Sequence, residues 1–171
     1  RVLFRSTRPD VVMITRVAGT HSAFFKSIDA IAIAKAEIFE GLTPGGIAVL
    51  NRDDDFFPML SKVAKQAGAS RIITFGKHHE SEICLLGAKQ IDNGMLVRAK
   101  IGVNEICFKL QMYGVHWSQN ALGVLACVAA LDLPIDAAAE SLAEISTPKG
   151  RGLRHHGTYE GLLITLIDDS Y

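Results

Sequence analysis

The sequence predicts an α/β fold in which a mostly parallel sheet, flanked by helices, continues into a small antiparallel meander. Three short apolar runs rich in β-branched residues are typical of strands buried on both faces, and they span Val11–Val17, Gly46–Asn51 and Arg71–Gly76. Helical patterns separate these runs, which requires right-handed crossovers between parallel strands. With 171 residues, 49% apolar and 21% charged, the chain is expected to form a single globular domain.

The first predicted helix begins after Ser27 as N-cap and ends before Gly41. One face carries an apolar stripe at three- and four-residue spacings, made of Ile28, Ile31, Ala32, Ile38 and Phe39, and Lys35 falls on the same stripe. The lysine stem can lie along apolar surface while its ammonium reaches water. Alternatively Lys35 is buried, and burial then favours its neutral amine.

A neutral lysine amine can capture carbon dioxide and become a carbamate. The carbamate is an anionic oxygen ligand of the kind that magnesium prefers. His21, in the loop before the helix, could approach the same ion, although histidine is not a typical magnesium ligand. The pair therefore indicates a possible metal site without establishing one.

The remaining elements follow from periodicity and turn chemistry. Residues Glu82–Met112 contain three β-like runs separated by the turns "DNG" and "GVN", which predict the antiparallel meander. A second helix is predicted from about Pro58 to Gly68, two further helices at about Trp117–Leu131 and Ile135–Ile145, and a last strand at Leu162–Ile167.

Three polar clusters follow predicted strands: "RVAGTH" after the first, "NRDDD" after the second and "DDSY" after the last. Ligands of open α/β sheets bind outside the carboxyl ends of the strands. The clusters therefore mark a candidate site, although each could also be an ordinary set of caps and turns.

Three further polar residues, Asn120, His116 and Arg151, lie outside these clusters. Asn120 stands in the first turn of an apolar helix, as a cap-proximal amide or as a contact to a nucleotide base. His116 is interpreted as a neighbour of the helix N-terminus rather than a catalyst. Arg151, in "TPKGRGLRHH", could bind a phosphate or lie in a solvated loop. No G-x-x-x-x-G-K-[ST] loop is present in the sequence, because Gly76-Lys77 is followed by histidine.

The charge balance indicates which partners are not expected, and the cysteine content indicates the compartment. Eighteen basic and eighteen acidic residues balance to a net charge of zero, so neither nucleic acid nor an anionic membrane is an expected partner. Three cysteines at spacings that match no zinc site fit a reducing compartment, and we expect the cytoplasm. No stretch approaches the roughly 20 apolar residues of a membrane-spanning helix.

Taken together, "RPDVVMIT", a histidine and "AIAKAEIFEGLTPGGIAVLNRDD" resemble the central ATPase domain of the Mur ligase family. These ATP-dependent amide-forming enzymes build the peptide stem of peptidoglycan. "LIDDSY" resembles the branch that adds D-alanyl-D-alanine to UDP-N-acetylmuramoyl-tripeptide. The resemblance implies that residues 1–167 are the C-terminal part of the central domain, and that residues 168–171 begin the linker to a further domain.

The resemblance also implies roles for individual residues. Lys35 matches the lysine that these ligases carry as a carbamate, and His21 the histidine that helps to hold magnesium near the γ-phosphate. Asn120 matches the asparagine that contacts adenine, Arg151 the arginine near the phosphates and Asp169 the aspartate that reaches the ribose. In the family, ATP phosphorylates a substrate carboxylate, and an incoming amine attacks the acyl phosphate to form the amide.

Four further positions carry no assigned role. Asn51 and Asp53 match a recurrent N-x-D-D turn of the family, whereas Arg16 and Trp117 replace residues that the family usually has. Because no phosphate-binding loop is visible, the chain by itself is expected to lack ATP hydrolysis and to bind nucleotide weakly. The alternatives are a Mur-type ligase for another amino acid or for folate, and a non-catalytic α/β binding module.

Overall fold

The computed structural model describes residues 6–19 and 27–170, and all structural statements refer to them. They contain eight strands, four α-helices and one 3₁₀ helix. The strands are β1 (Val11–Ile14), β2 (Ile47–Asn51), β3 (Arg71–Gly76), β4 (Ile83–Ile91), β5 (Gly94–Ile101), β6 (Asn104–Leu110), β7 (Leu153–Tyr159) and β8 (Leu162–Asp168). The helices are α1 (Ile28–Ala36), α2 (Phe57–Gln66), α3 (Val115–Ala130) and α4 (Ile135–Leu142), and the 3₁₀ helix spans Glu37–Gly41.

Six strands form one mixed sheet in the order β1-β2-β3-β4-β5-β6. Strands β1 to β4 pair in parallel, whereas β4, β5 and β6 pair antiparallel as a meander. The meander is therefore continuous with the parallel sheet through β4. The predicted fold class and the predicted meander are both confirmed.

Helices cover both faces of the sheet because its strands alternate apolar side chains between two cores. In β2, Val49 belongs to one core, whereas Ala48 and Leu50 belong to the other. The Val49 core includes apolar residues of α3 and α4, and the second core includes those of α1 and α2. The domain thus has three layers, with the sheet in the middle.

Of the two interpretations of Lys35, the structure supports the exposed one, because its side chain is exposed on α1. Ser27 does cap this helix, with its Oγ accepting a hydrogen bond from the Ala30 N–H at 3.2 Å. The buried residues of α1 are Ile31, Ala32 and Ala36. At 100° per residue Lys35 lies between Ile31 and Ala32 around the helix axis, so its exposure fits a side chain whose ammonium reaches water from the covered face. Ile28 is likewise 43% exposed.

The predicted apolar stripe is largely covered. Ile31, Ala32 and Phe39 are buried in one core, and Ile38 packs against the same core. The α-helix ends at Ala36 and the chain continues as the tighter 3₁₀ helix, so the single predicted helix consists of two segments.

The C-terminal segment contains one strand more than predicted. The last predicted strand exists as β8, but it pairs with β7, which sequence analysis treated as a loop. These two strands form a separate antiparallel hairpin, hereafter the β7–β8 hairpin, outside the six-stranded sheet. Among the described residues, no helix combines the length and the apolar character needed to cross a bilayer.

Candidate functional site

A cavity of about 270 Å³ brings together residues from three separate segments of the chain. The first turns of α3 contribute His116, Trp117 and Asn120, the α4–β7 loop contributes Arg151, and the segment after β8 contributes Asp169. An amide, a guanidinium, a carboxylate and two aromatic rings therefore face one space. We call it the α3 cavity.

The α3 side of the cavity depends on a glycine. Gly114 is the N-cap of α3 with φ of 112°, a conformation that residues with a Cβ rarely adopt. A Cβ at this position would lie 2.7 Å from the His116 ring. The rings of His116 and Trp117 lie 5.4 Å apart at a tilt of 43°. Gly114 thus leaves room for the His116 ring at the start of the helix.

The opposite side of the cavity is held by Asp168. Its Oδ2 accepts a hydrogen bond from Gly150 N–H at 3.2 Å, and its backbone carbonyl accepts one from Gly152 N–H at 2.8 Å. These two glycines flank Arg151. The Ser170 hydroxyl donates to Asp168 Oδ1 at 2.6 Å on the other side of Asp169. Asp168 therefore fastens the segment with the arginine to the segment with the aspartate.

The pKa of Asp168 is lowered from its ordinary value. The main cause is the hydrogen bond from the Ser170 hydroxyl, and the backbone N–H groups of Gly150 and Ser170 and the nearby His155 act in the same direction. Each of these contacts favours the ionised carboxylate. The contacts that join the Arg151 loop to the segment after β8 therefore depend on a charged acceptor.

Two of the three predicted polar clusters meet at the carboxyl edge of the parallel sheet. Asn51 donates from Nδ2 to the Thr15 carbonyl at 2.9 Å, and Asp54 Oδ2 accepts from Val17 N–H at 2.6 Å. The end of β2 thereby holds the segment that leaves β1. The third cluster does not follow a strand of this sheet, and in that respect the prediction is wrong.

The structure separates the predicted site residues into two groups. Asn120, Arg151 and Asp169 line the α3 cavity together. Lys35 is exposed on α1 and is not among the residues lining the cavity, and His21 lies outside the described residues. Across residues 6–19 and 27–170, no group of three or more His, Cys, Asp or Glu side chains is placed to hold a metal ion.

Sequence reasoning missed Asp168 and Gln119. Asp168 was seen only as part of the "DDSY" cluster, although the first of two adjacent aspartates at a strand end is a natural acceptor for a glycine-rich loop. Gln119 donates from Nε2 to Asp53 Oδ2 at 2.9 Å, across 66 positions of the chain. No local pattern could have indicated that contact.

A three-layer α/β domain with a polar cavity next to the carboxyl edge of its sheet is a common arrangement for binding a nucleotide or another small ligand. The family comparison is more specific: the model for the Mur ligase middle domain matches residues 2–128. The chain belongs to this family.

Similar curated proteins are ligases that act on UDP-N-acetylmuramate or its tripeptide. The UDP-N-acetylmuramoyl-tripeptide--D-alanyl-D-alanine ligase of Rickettsia prowazekii is 27% identical over 88% of this chain and 33% of its own length. The UDP-N-acetylmuramate--L-alanine ligase of Streptomyces avermitilis is also 27% identical, over 98% of this chain and 35% of its own. The chain thus spans about a third of the length of these relatives.

Solved structures support the fold. MurF from Acinetobacter baumannii aligns with a TM-score of 0.85 and 24% identity over 98% of this chain and 35% of its own. MurF ligase from Thermotoga maritima in complex with ADP aligns with a TM-score of 0.75 and 25% identity, over 95% of this chain and 36% of its own. The architecture is therefore that of Mur ligases beyond the residues that the family model matches.

Proposed function

We propose that this chain is the part of an ATP-dependent amide ligase that holds the adenosine moiety of ATP. The ligase would add D-alanyl-D-alanine to UDP-N-acetylmuramoyl-tripeptide. The observation that carries the proposal is the α3 cavity, where Asn120, Arg151 and Asp169 from three segments line one space. The activity of the Rickettsia prowazekii relative supports the choice of substrates.

The chemistry of the cavity suits an adenine nucleotide. The Asn120 amide can both donate to and accept from the edge of a base, and the Asp169 carboxylate can accept hydrogen bonds from ribose hydroxyls. The Arg151 guanidinium matches the geometry of a phosphate. The flat rings of Trp117 and His116 offer apolar surface against which a base can pack.

In the proposed reaction, the γ-phosphoryl group of ATP passes to the terminal carboxylate of the tripeptide and leaves ADP. The D-alanyl-D-alanine amine then attacks the acyl carbon, the amide bond forms and inorganic phosphate departs. The residues of the α3 cavity bind and orient the nucleotide in this scheme. No described residue is assigned to the transfer itself.

Magnesium and a carbamate on Lys35 enter the proposal from the family resemblance alone. The described residues do not fit a metal site by themselves, since Lys35 is exposed and no metal-ligating group is formed within them. When bound, magnesium would neutralise phosphate charge. We propose Lys35 and His21 as its ligands and assign no step to the ion.

The test of the carbamate exchanges lysine for arginine, which keeps the charge but cannot form a carbamate. In the full-length polypeptide that carries this chain, Lys35→Arg should lower turnover by orders of magnitude. Lys62→Arg, on the exposed surface of α2, is the matched control and should retain turnover. Near-normal turnover of Lys35→Arg would contradict the carbamate role.

The domain assignment and the compartment are also proposals. Residues 1–167 would form the C-terminal part of a central ATP-binding domain, and residues 168–171 would begin a linker. The described cysteines Cys84, Cys107 and Cys127 are free thiols, which fits a reducing cytoplasm. If residues 168–171 begin a linker, a protease should cleave the full-length polypeptide near them before it cleaves the six-stranded sheet.

The nucleotide site is tested by ADP binding to the full-length polypeptide. Asn120→Ala removes one hydrogen-bonding group, so we expect the Kd for ADP, measured by calorimetry, to rise roughly two- to tenfold. Asn93→Ala, in the exposed β4–β5 turn, is the matched control and should leave the Kd unchanged. Equal affinities of the two variants would contradict the assignment of the cavity.

The second candidate is a ligase that adds L-alanine to UDP-N-acetylmuramate, favoured by the Streptomyces avermitilis relative. The two activities differ in both substrates, so parallel assays of phosphate release separate them. We expect turnover with the tripeptide precursor and D-alanyl-D-alanine. Turnover only with UDP-N-acetylmuramate and L-alanine would establish the second candidate instead.

A further inference from the structure

We infer that Asp53 is a positioning residue for the nucleotide, because its contact to α3 restrains the rotation of this helix and thereby the direction in which Asn120 faces the α3 cavity. This inference rests on the proposed function, since it concerns affinity for a nucleotide in that cavity. Asp53 itself is not among the residues that line the cavity.

The Asp53 carboxylate is a junction between three parts of the fold. Its Oδ2 accepts hydrogen bonds from Lys77 N–H at 2.6 Å and from Gln119 Nε2 at 2.9 Å. Its Oδ1 accepts one from His78 N–H at 2.9 Å. The carboxyl end of β2 is thereby joined to the loop after β3 and to the second turn of α3. Hydrogen bonds to an ionised acceptor are stronger than neutral ones, so these contacts are suited to fixing positions.

The backbone next to the junction is shaped to admit the carboxylate. Gly76 has φ of 143°, and a Cβ there would lie 2.8 Å from Asp53 Cγ. Only glycine combines this conformation with this close approach. The neighbouring Asn51 Oδ1 accepts from Asp53 N–H at 2.9 Å and holds the backbone of Asp53 in turn.

The core contacts of α3 are apolar and lie on one face of the helix. Ala121, Leu122, Leu125 and Ala126 are buried in the core on one face of the sheet. This burial determines which face of α3 is turned to the sheet. The hydrogen bond from Gln119 to Asp53 depends on the angle between donor and acceptor, so it adds a directional restraint near the start of the helix.

Neighbouring residues of an α-helix point about 100° apart, as follows from 3.6 residues per turn. With Gln119 directed to Asp53, the next residue, Asn120, lies one such step further round, where it lines the cavity. Loss of the Asp53 contact would remove this restraint on the rotation of α3, and Asn120 would be held less firmly towards the cavity.

The experiment measures ADP affinity by calorimetry in the full-length polypeptide for Asp53→Ala, Asn120→Ala and the double variant. Because Asp53 acts through Asn120, we expect Asp53→Ala to raise the Kd roughly two- to tenfold, but no more than Asn120→Ala does. In the Asn120→Ala background the same change should add less than about twofold. In ATP kinetics, the KM should rise with little change in kcat.

Two further variants separate this role from general stability. Asp55→Ala removes a carboxylate from the same loop that makes no side-chain hydrogen bond within the described residues, and it should leave the Kd unchanged. Gln119→Leu breaks only the contact to α3 and leaves the Lys77 and His78 contacts in place. It should reproduce the effect of Asp53→Ala even if Asp53→Ala fails to fold.

The outcomes distinguish the inference from the proposed function. If Asn120→Ala weakens ADP binding but Gln119→Leu does not, the positioning role is wrong and the nucleotide site stands. An equal effect of Asp53→Ala with and without Asn120 would also overturn the positioning role. If Asn120→Ala has no effect, the nucleotide site itself is wrong, and the inference falls with it.

Discussion

The six-stranded sheet and the β7–β8 hairpin are built from similar apolar residues, yet only the sheet buries them. In β2, Ala48, Val49 and Leu50 are 0% exposed, whereas in β8 Leu162 is 70% and Leu163 91% exposed. The sheet has a helical layer on each face, and within the described residues the hairpin has none over β8. An apolar β-branched run therefore predicts a strand, but its burial depends on what packs against it.

The hairpin is fastened at its base instead. Asp168 at the end of β8 accepts hydrogen bonds from the two glycines that flank Arg151. A two-stranded hairpin without cover is marginally stable by itself. The comparison thus contrasts a region stabilised by apolar burial with one positioned by polar contacts.

The largest expected difference between the regions concerns side-chain truncation. Phe75→Ala in β3 removes a side chain that is 0% exposed, and it should lower the free energy of unfolding by about 3–5 kcal/mol. Leu163→Ala, on the exposed hairpin, should change it by less than about 0.5 kcal/mol. Urea denaturation of the two variants measures both values. A cost above about 1 kcal/mol for Leu163→Ala would show that the side chain is covered, and the stated difference between sheet and hairpin would then be wrong.

Two glycines, Gly94 in β5 and Gly157 in β7, test whether the sheet and the hairpin also differ in how closely other atoms approach the backbone. Gly94 begins β5 with φ of 126°, and a Cβ there would lie 1.8 Å from the Leu110 carbonyl oxygen. Gly94→Ala should therefore cost at least about 1–3 kcal/mol. At Gly157 in β7, by contrast, no atom lies within 4 Å of the place that a Cβ would take.

Because nothing obstructs a side chain at Gly157, Gly157→Ala should be neutral or stabilise the fold by up to about 1 kcal/mol. Thermal unfolding monitored by circular dichroism compares the two variants directly. Similar losses of stability in both would mean that the hairpin is as tightly packed as the meander, contrary to its exposure.

The smallest expected effect concerns the polar contacts at the base of the β7–β8 hairpin. Ser170→Ala removes the hydroxyl that contributes most to lowering the pKa of Asp168, so this pKa should rise towards its ordinary value. Titration of the side-chain carboxyl by NMR measures the change. Ser141→Ala, whose hydroxyl donates to the Ala137 carbonyl on α4, is the control.

The sign of the pH dependence follows from the lowered pKa. A carboxyl whose pKa is lower in the folded than in the unfolded state stabilises the fold above its ordinary pKa. This contribution is lost as the pH falls through the folded-state pKa. Acidification should therefore loosen the Arg151 loop, and Asp168→Asn should remove that dependence. If Ser170→Ala leaves the pKa of Asp168 unchanged, the Ser170 hydroxyl is not the main cause of the lowered pKa.

Much of the fold could be predicted because its signals are local. The parallel strands β1, β2 and β3 are recognisable from buried β-branched runs, and the meander from its two turns. Strand β7 was missed because "LRHHGTY" carries polar residues and glycine, and it is ordered as a strand by pairing with β8. Pairing across a turn is a weaker local signal than an apolar run.

Three residues that line the α3 cavity stood out in the sequence, but their arrangement did not, and their roles stay predictions. Asn120, Arg151 and Asp169 were each identified separately, and the structure places them around one cavity. Burial and exposure of Lys35 were both open from the sequence, and the structure shows that its side chain is exposed. Periodicity identifies the covered face of a helix, but a long lysine side chain on that face can still reach solvent.

Local sequence patterns were sufficient to predict the α/β class, the order of most strands and helices, and three of the residues that line the α3 cavity. These follow from backbone preferences and from the period of apolar residues, which act over a few positions. The tertiary structure decided which apolar residues are covered, and that Gln119 contacts Asp53 across 66 positions. Such contacts depend on how separate elements pack in space, because no local preference sets the distance between residues far apart in the chain.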